Sequence, residues 1–328
     1  MLSQTQALRL AGLARSSWHY LHHPRPRVAD PVPQEMRRST VWTTPAEEQQ
    51  ILSRLAHPAY ALLSIAAVFI KALDAGVYIV SMRTWYRVAE RHRLQRRSGQ
   101  RRAARHRSRA IPELLTTAVN QLWSWDITKL PTPIRGQFYE FYVVLDVYSR
   151  YVVGYRVEEV ESDQLARDMF QTAMARHQCR PQVVHSDGGP SMTSTVVTEF
   201  LTELKIRLSR NRPRVSNDNP YSEAAFKTAK YRPDYPEIFH SLEQARAWAD
   251  AYINWYNHDH QHSGIAWHTP HNVYTGAHHA VTARRQAVLD RHYQANPHRH
   301  HQPPIAPQLQ PEVWINKPKT PDHRLQTD

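Results

Sequence analysis

The stretch FYEFYVVLDVYSRYVVGYRV, 138–157, constrains the fold more than any other. It is dense in Val, Tyr and Phe, side chains that suit a pleated, half-buried surface. It breaks once, at Tyr148-Ser149-Arg150, so it reads as a β-hairpin. LWSWDITKL (Leu122–Leu130) before it and PQVVHS and KIRLS after it are further strand candidates. Helical patterns over 163–177, over 194–204 and in the segment after Asn219 separate or follow them. Three strands, then helix, strand, helix, strand, helix predict an α/β domain with a mixed sheet. A long amphipathic helix, SLEQARAWADAYINWYNHDH, comes next. Ser241 and Gln244 open it as a capping box, and Ala245, Trp248, Tyr252 and Trp255 or Tyr256 form its core-facing stripe.

Upstream the texture is helical. Two short helices around Gly12 suggest a helix-turn-helix over 1–25, and prolines 24, 26, 32 and 33 mark a linker over 26–44. Three further helical segments suggest a second helix-turn-helix over 45–92. Its last helix, capped by Ser81, turns Arg83, Arg87 and Arg91 outward. Residues 93–118 form a basic linker. Arg91 to Arg109 holds nine arginines, Arg96, Arg97, Arg101 and Arg102 among them, and no acid. Such a block repels itself unless phosphates neutralise it. The whole chain carries 42 Lys+Arg and a net charge of +13, which points to nucleic acid as partner. The α/β domain spans 119–276. Residues 277–328, rich in His, Gln and Pro, read as an extended or poorly ordered tail in which His298, His300 and His301 are solvated.

Other classes recede. No apolar run approaches 18 residues, and the first residues lack a secretory pattern, so the expectation is a cytoplasmic protein. Cys179 is the only cysteine, which rules out internal disulfides and cysteine-based zinc sites. His258, His260 and His262 alternate at the end of a helix, where their rings do not converge; structural or DNA-facing roles suit them better than zinc. His185 reads as a strand histidine satisfied by its neighbours.

Carboxylates at strand ends are unusual, because strands disfavour Asp. Asp126 is read as ending the first strand and Asp187 as following the fourth, where α/β sheets keep their sites. Glu223 lies in the first turn of the helix in SNDNPYSEAAFKTAKYRP, with Lys227 four and Lys230 seven residues on. Three acids on separate elements form an oxygen-ligand set suited to Mg²⁺ or Mn²⁺. Two such ions about 4 Å apart can stabilise both oxygens of an in-line phosphoryl transfer. Asp146 and Asp218 are also candidates, so these residues alone leave the set open.

The motifs WSWDIT, DVYSR, HSDGG, SNDNPYSEAAFKTAKYRP and WYNHDHQHSGI, in that order, resemble the retroviral-integrase-like DDE transposases of bacterial insertion sequences. The likeness covers roughly 120–275, and 35 residues lie between Asp187 and Glu223, the family's interval. The resemblance implies a ribonuclease-H-like core with a mixed five-stranded sheet and flanking helices, preceded by all-α helix-turn-helix modules. It implies that Asp126, Asp187 and Glu223 hold two Mg²⁺ ions, with Mn²⁺ able to substitute, and that Lys227 and Lys230 face a DNA end. Asn217, Asp218 and Asn219 would form a flexible loop near that end, Asn219 touching DNA, and Asp146 would be structural. The implied partners are double-stranded DNA (terminal inverted repeats and target), further copies of the chain, at least a dimer on DNA, and a small upstream helix-turn-helix protein. Gly189-Pro190 and Ala229 depart from the family pattern without touching the three acids. Two rivals are a DNA binder that has lost catalysis and a nuclease of RNA–DNA hybrids.

Overall fold

The structure, a computed structural model, describes residues 3–23, 43–61, 63–94, 112–212 and 218–318. Residues 1–42 and 43–328 form two separate units. In the first, α1 (Gln4–Leu10) and α2 (Arg15–His22) flank a turn in which Gly12 takes φ +65°, as expected of a helix pair. Ser3 and Gln6 cap α1 reciprocally.

The second unit opens with α3 (Pro45–Leu55), α4 (Ile65–Asp74) and α5 (Met82–Arg91). Thr44 and Ser64 cap the first two by accepting backbone N–H bonds. Ile51, Val68, Ile70, Trp85 and Val88 close a core between these three helices. At about 1.5–3 kcal/mol for each large apolar side chain buried, such a cluster holds three short helices that would be marginal alone.

The α/β part follows: β1 (Leu114–Thr116), β2 (Leu122–Pro131), β3 (Phe138–Asp146), β4 (Val152–Glu158), α6 (Asp163–His177), β5 (Val183–Ser186), α7 (Pro190–Thr193), α8 (Thr195–Glu203), β6 (Arg207–Arg210), α9 (Pro220–Lys230) and α10 (Leu242–His258). The main sheet has the order β4-β3-β2-β5-β6. The first three strands pair antiparallel, and β5 and β6 add in parallel, so the sheet is mixed and five-stranded. Helices cover both faces. Trp123 and Trp125 of β2 pack with Met169 and Phe170 of α6 and Leu201 of α8. On the other face Phe226 and Ala229 of α9 and Ala245, Ala249, Tyr252 and Tyr256 of α10 complete a second core. Ser241 caps α10 as expected, but Gln244 reaches the His240 N–H, one residue short of the reciprocal box.

The tail departs from expectation. After α11 (Pro270–Tyr274), α12 (His278–Ala295) runs for 18 residues, and β7 (Val313–Ile315) pairs with β1. The segment up to 318 is therefore folded rather than extended. Its polar composition hides an inward stripe of Val281, Arg285, Val288 and Leu289. Arg285, 1% exposed, is neutralised by Asp74 of α4 at 2.6 Å and donates to the carbonyls of Ala266 and Trp267. His300 is not solvated either: it meets His292 at 3.1 Å, and beside it Arg299 pairs with Glu47.

Candidate active site

The site grows from the alternation of β2. With Trp123 and Trp125 turned to α6 and α8, the alternate residues face α9: Ser124, Asp126 and Thr128. Helix α9 answers in order. Ser124 Oγ donates to Asn219 Oδ1 at 2.5 Å and lies 2.8 Å from Ser222 Oγ, while Asn219 Nδ2 donates to the Trp125 carbonyl. Lys230 Nζ, two turns on, donates to Thr128 Oγ1 at 2.6 Å. Asp126 lies between these two fastenings, and Glu223 starts its helix beside the first.

The parallel neighbour supplies the second acid. Strand β5 pairs with β2 from Leu122↔Val183 to Trp125↔Ser186 and then stops. Asp126 and Asp187 are the next residue on each strand. Asp126 therefore does not end its strand: β2 continues to Pro131 against β3, and only the β5 side ends there. A long strand with a short parallel neighbour opens a notch in the sheet, and both carboxylates stand at it. Gly188, at φ +89°, turns the chain away, and Asp187 Oδ1 accepts the Gly189 N–H at 2.9 Å.

The electrostatics are those of a crowded acid cluster. Burial, then the charge of Asp187 and more weakly that of Glu223, push the Asp126 carboxyl from 3.8 to about 7; the Ile127 N–H and Lys230 oppose the shift. Burial also lowers Lys230, against the pull of Asp126. Glu223 leans toward Lys227 at 3.6 Å. Among the described residues no three His, Cys, Asp or Glu side chains are gathered closely enough to grip one ion. The donor set itself fits a hard divalent cation: the three side chains offer only carboxylate oxygens, and ionised Asp126 is disfavoured by burial and then by its acidic neighbours, which a cation would relieve.

The other expected residues fall out variously. Lys227 is exposed beside Glu223. Arg83 and Arg87 are exposed on α5, with Arg87 donating to Thr84. Arg96, Arg97, Arg101 and Arg102 lie outside the described residues, as does Asn217. Asn219, expected in a flexible loop and touching DNA, is instead 1% exposed with its amide committed to Ser124 and Trp125, so it joins helix to strand. Asp218, expected in a flexible loop, is fully buried in a salt bridge with Arg212 and accepts from Asn316. Asp146 is buried in the hairpin turn, accepting from the Asn120 and Ser149 N–H groups and the Ser149 hydroxyl, and burial raises it to about 6. His185 bonds Ser209, Asn211 and the Asp218 carbonyl. Burial pushes His260 to about 4 and His262 to about 3, so both are neutral rings packed around Tyr256. Sequence reasoning missed Ser124 and Ser222. Hydroxyls one or two residues before an acid were the available signal, but only the packing of α9 on β2 pairs them.

Residues 116–216 match a family model described as an integrase core domain, and residues 204–270 match a second model of the same description. Both matched stretches are therefore similar to an integrase core domain, and the mixed five-stranded sheet lies within them. Beyond that match, the chain is similar to insertion-sequence transposases. It is 31% identical to the transposase of element IS904 from Lactococcus lactis over 47% of this chain and 61% of that protein. It is 35% identical to transposase InsF of IS3A from Escherichia coli over 44% and 50% respectively. The chain thus spans between half and about three-fifths of the length of these curated relatives. Among solved structures it overlaps the HTLV-2 integrase catalytic core domain in complex with magnesium at 18% identity and a TM-score of 0.36, covering 48% of this chain and 97% of that one.

Proposed function

We propose that the protein is a DDE-type polynucleotidyl transferase that cleaves a phosphodiester at an element end and joins the freed 3′-OH to target DNA. The observation that carries this reading is the notch: Asp126 and Asp187 follow the last paired residues of adjacent parallel strands, and Asp126 is raised to about 7 by burial and its acidic neighbours. A carboxylate that resists ionisation until a cation arrives is a metal ligand in waiting.

Asp126, Asp187 and Glu223 would hold the Mg²⁺ ions, Mn²⁺ substituting, with Glu223 leaving Lys227 to join them. Bound there, two divalent ions supply charge stabilisation for the attacking and leaving oxygens. The chain's own residues do the rest. Asn219 and Ser222 hold α9 to β2 so that Glu223 stays beside Asp126. Lys227, released from Glu223, and Lys230 offer ammonium groups to DNA phosphates at the mouth of the notch. The exposed Arg83 and Arg87 of α5, with the basic block of 93–118, would bind the terminal inverted repeats. Two ends must be held together, so at least a dimer on DNA is expected. A small upstream helix-turn-helix protein of the same element is a further expected partner, and the cytoplasm the place of action.

The test is strand cleavage and transfer on a labelled element end with Mg²⁺ or Mn²⁺, using Asp187→Ala as control. Products from the parent protein and none from the variant support the reading. Equal activity, or none in either with DNA binding intact, favours a binding protein without chemistry, and preference for an RNA–DNA hybrid reverses the substrate.

A further inference from the structure

The last described strand returns to the helix that carries Glu223. Strand β7 pairs antiparallel with β1, Leu114 opposite Ile315 and Thr116 opposite Val313. Val313 and Ile315 are buried in the same cluster as Ala225, Phe226 and Ala229 of α9. Two polar contacts then reach the start of α9. The Tyr221 hydroxyl donates to the Trp314 carbonyl at 2.6 Å. Asn316 Nδ2 donates to Asp218 Oδ1 at 3.0 Å and to the Pro112 carbonyl at 3.2 Å. Arg212 holds the other side of the Asp218 carboxylate at 2.8 Å. Asn316 sits at φ 53°, a conformation that asparagine tolerates better than most residues.

The first turn of a helix lacks intrahelical partners for its N–H groups, so its placement depends on contacts from outside. Here those contacts come from β2 on one side and from a strand more than 80 residues downstream on the other. Both downstream contacts fall within five residues of Glu223. We infer that Asn316 and the Trp314 backbone are positioning groups for Glu223: the C-terminal strap sets how the start of α9 lies against β2. The catalytic consequence rests on the proposed function; the structural one does not.

Hydrogen exchange of the full-length chain tests it. Asn316→Gly keeps the positive φ and removes the amide, and Tyr221→Phe removes only the hydroxyl. Each should speed exchange of the amides at 223–227, the first with helix partners, by about tenfold, the worth of one net hydrogen bond, while those of β2 and β3 are unchanged. Unchanged exchange in α9, or a uniform rise across the sheet, overturns the inference. If the parent protein cleaves DNA ends, both variants should cleave about tenfold more slowly with end affinity retained. Full cleavage alongside a loosened α9 also overturns the positioning role. A parent protein without cleavage defeats the proposed function instead, and exchange alone then decides the strap.

Discussion

Removing the charge of Asp187 should stabilise the protein at neutral pH and do nothing in acid. The reasoning starts from Asp126, raised from 3.8 to about 7, first by burial and next by Asp187. A shift of roughly three units corresponds to about 4 kcal/mol. The sign follows from proton binding. The folded state holds the proton more tightly than the unfolded chain, so folding is penalised where Asp126 must ionise. The penalty is absent below about pH 3.8, grows as pH rises and is complete above about 7. Asp187→Asn removes the second cause and leaves the first, so it recovers the smaller share, on the order of 1 kcal/mol. For a chain of this size that raises the melting temperature by about 2–4 °C at pH 8 in chelator, with no change at pH 4.5. Asp126→Asn removes the whole penalty and should gain more at pH 8. Thermal unfolding followed by near-ultraviolet circular dichroism, at both pH values, measures each. A gain in Asp187→Asn of equal size at pH 4.5 and 8, or a loss at both, would refute the coupling between the two carboxylates.

Three further outcomes are expected. Lys230→Ala should weaken end-DNA binding and reduce the slope of log affinity against log salt by about one, measured by anisotropy titration; an unchanged slope removes this lysine from the phosphate contacts. Asp74→Ala leaves the buried Arg285 without its counter-charge and should cost about 3–5 kcal/mol in denaturant unfolding, and a cost near zero would show that α12 does not depend on the pair. Ser124→Ala strips Asn219 and Ser222 of their buried partner and should cost about 1–3 kcal/mol. It should also slow cleavage more than it weakens DNA binding, and the reverse order would make it a packing residue only.

Much of the fold was legible locally. The hairpin at 138–157, helix α6 over 163–177 and the short strand before Asp187 follow from side-chain type and period, because a strand or helix exposes its pattern within a few residues. The acids stood out as candidates by their oddity, Asp in and after strands and Glu at a helix start, but that pattern did not separate them from Asp146 and Asp218. The tail was misread for a physical reason. Its His, Gln and Pro content read as solvent-seeking, whereas Asp74, 211 residues before Arg285, makes that arginine of α12 acceptable in the interior. Asn219 was misplaced likewise. A loop asparagine before a helix looks exposed until Ser124, 95 residues back, claims its amide.

The amino-acid order by itself determined most of the strands and helices of 119–276, the excess of positive charge and the short list of candidate acids, since these depend on neighbours one to four residues away. Only the tertiary structure decided that β5 stops beside Asp126, that Asp126 titrates near neutrality, and that α9 is held between β2 and a strap from the far end of the chain. Those properties are set by burial and by contacts between residues distant in sequence, and no local pattern encodes them.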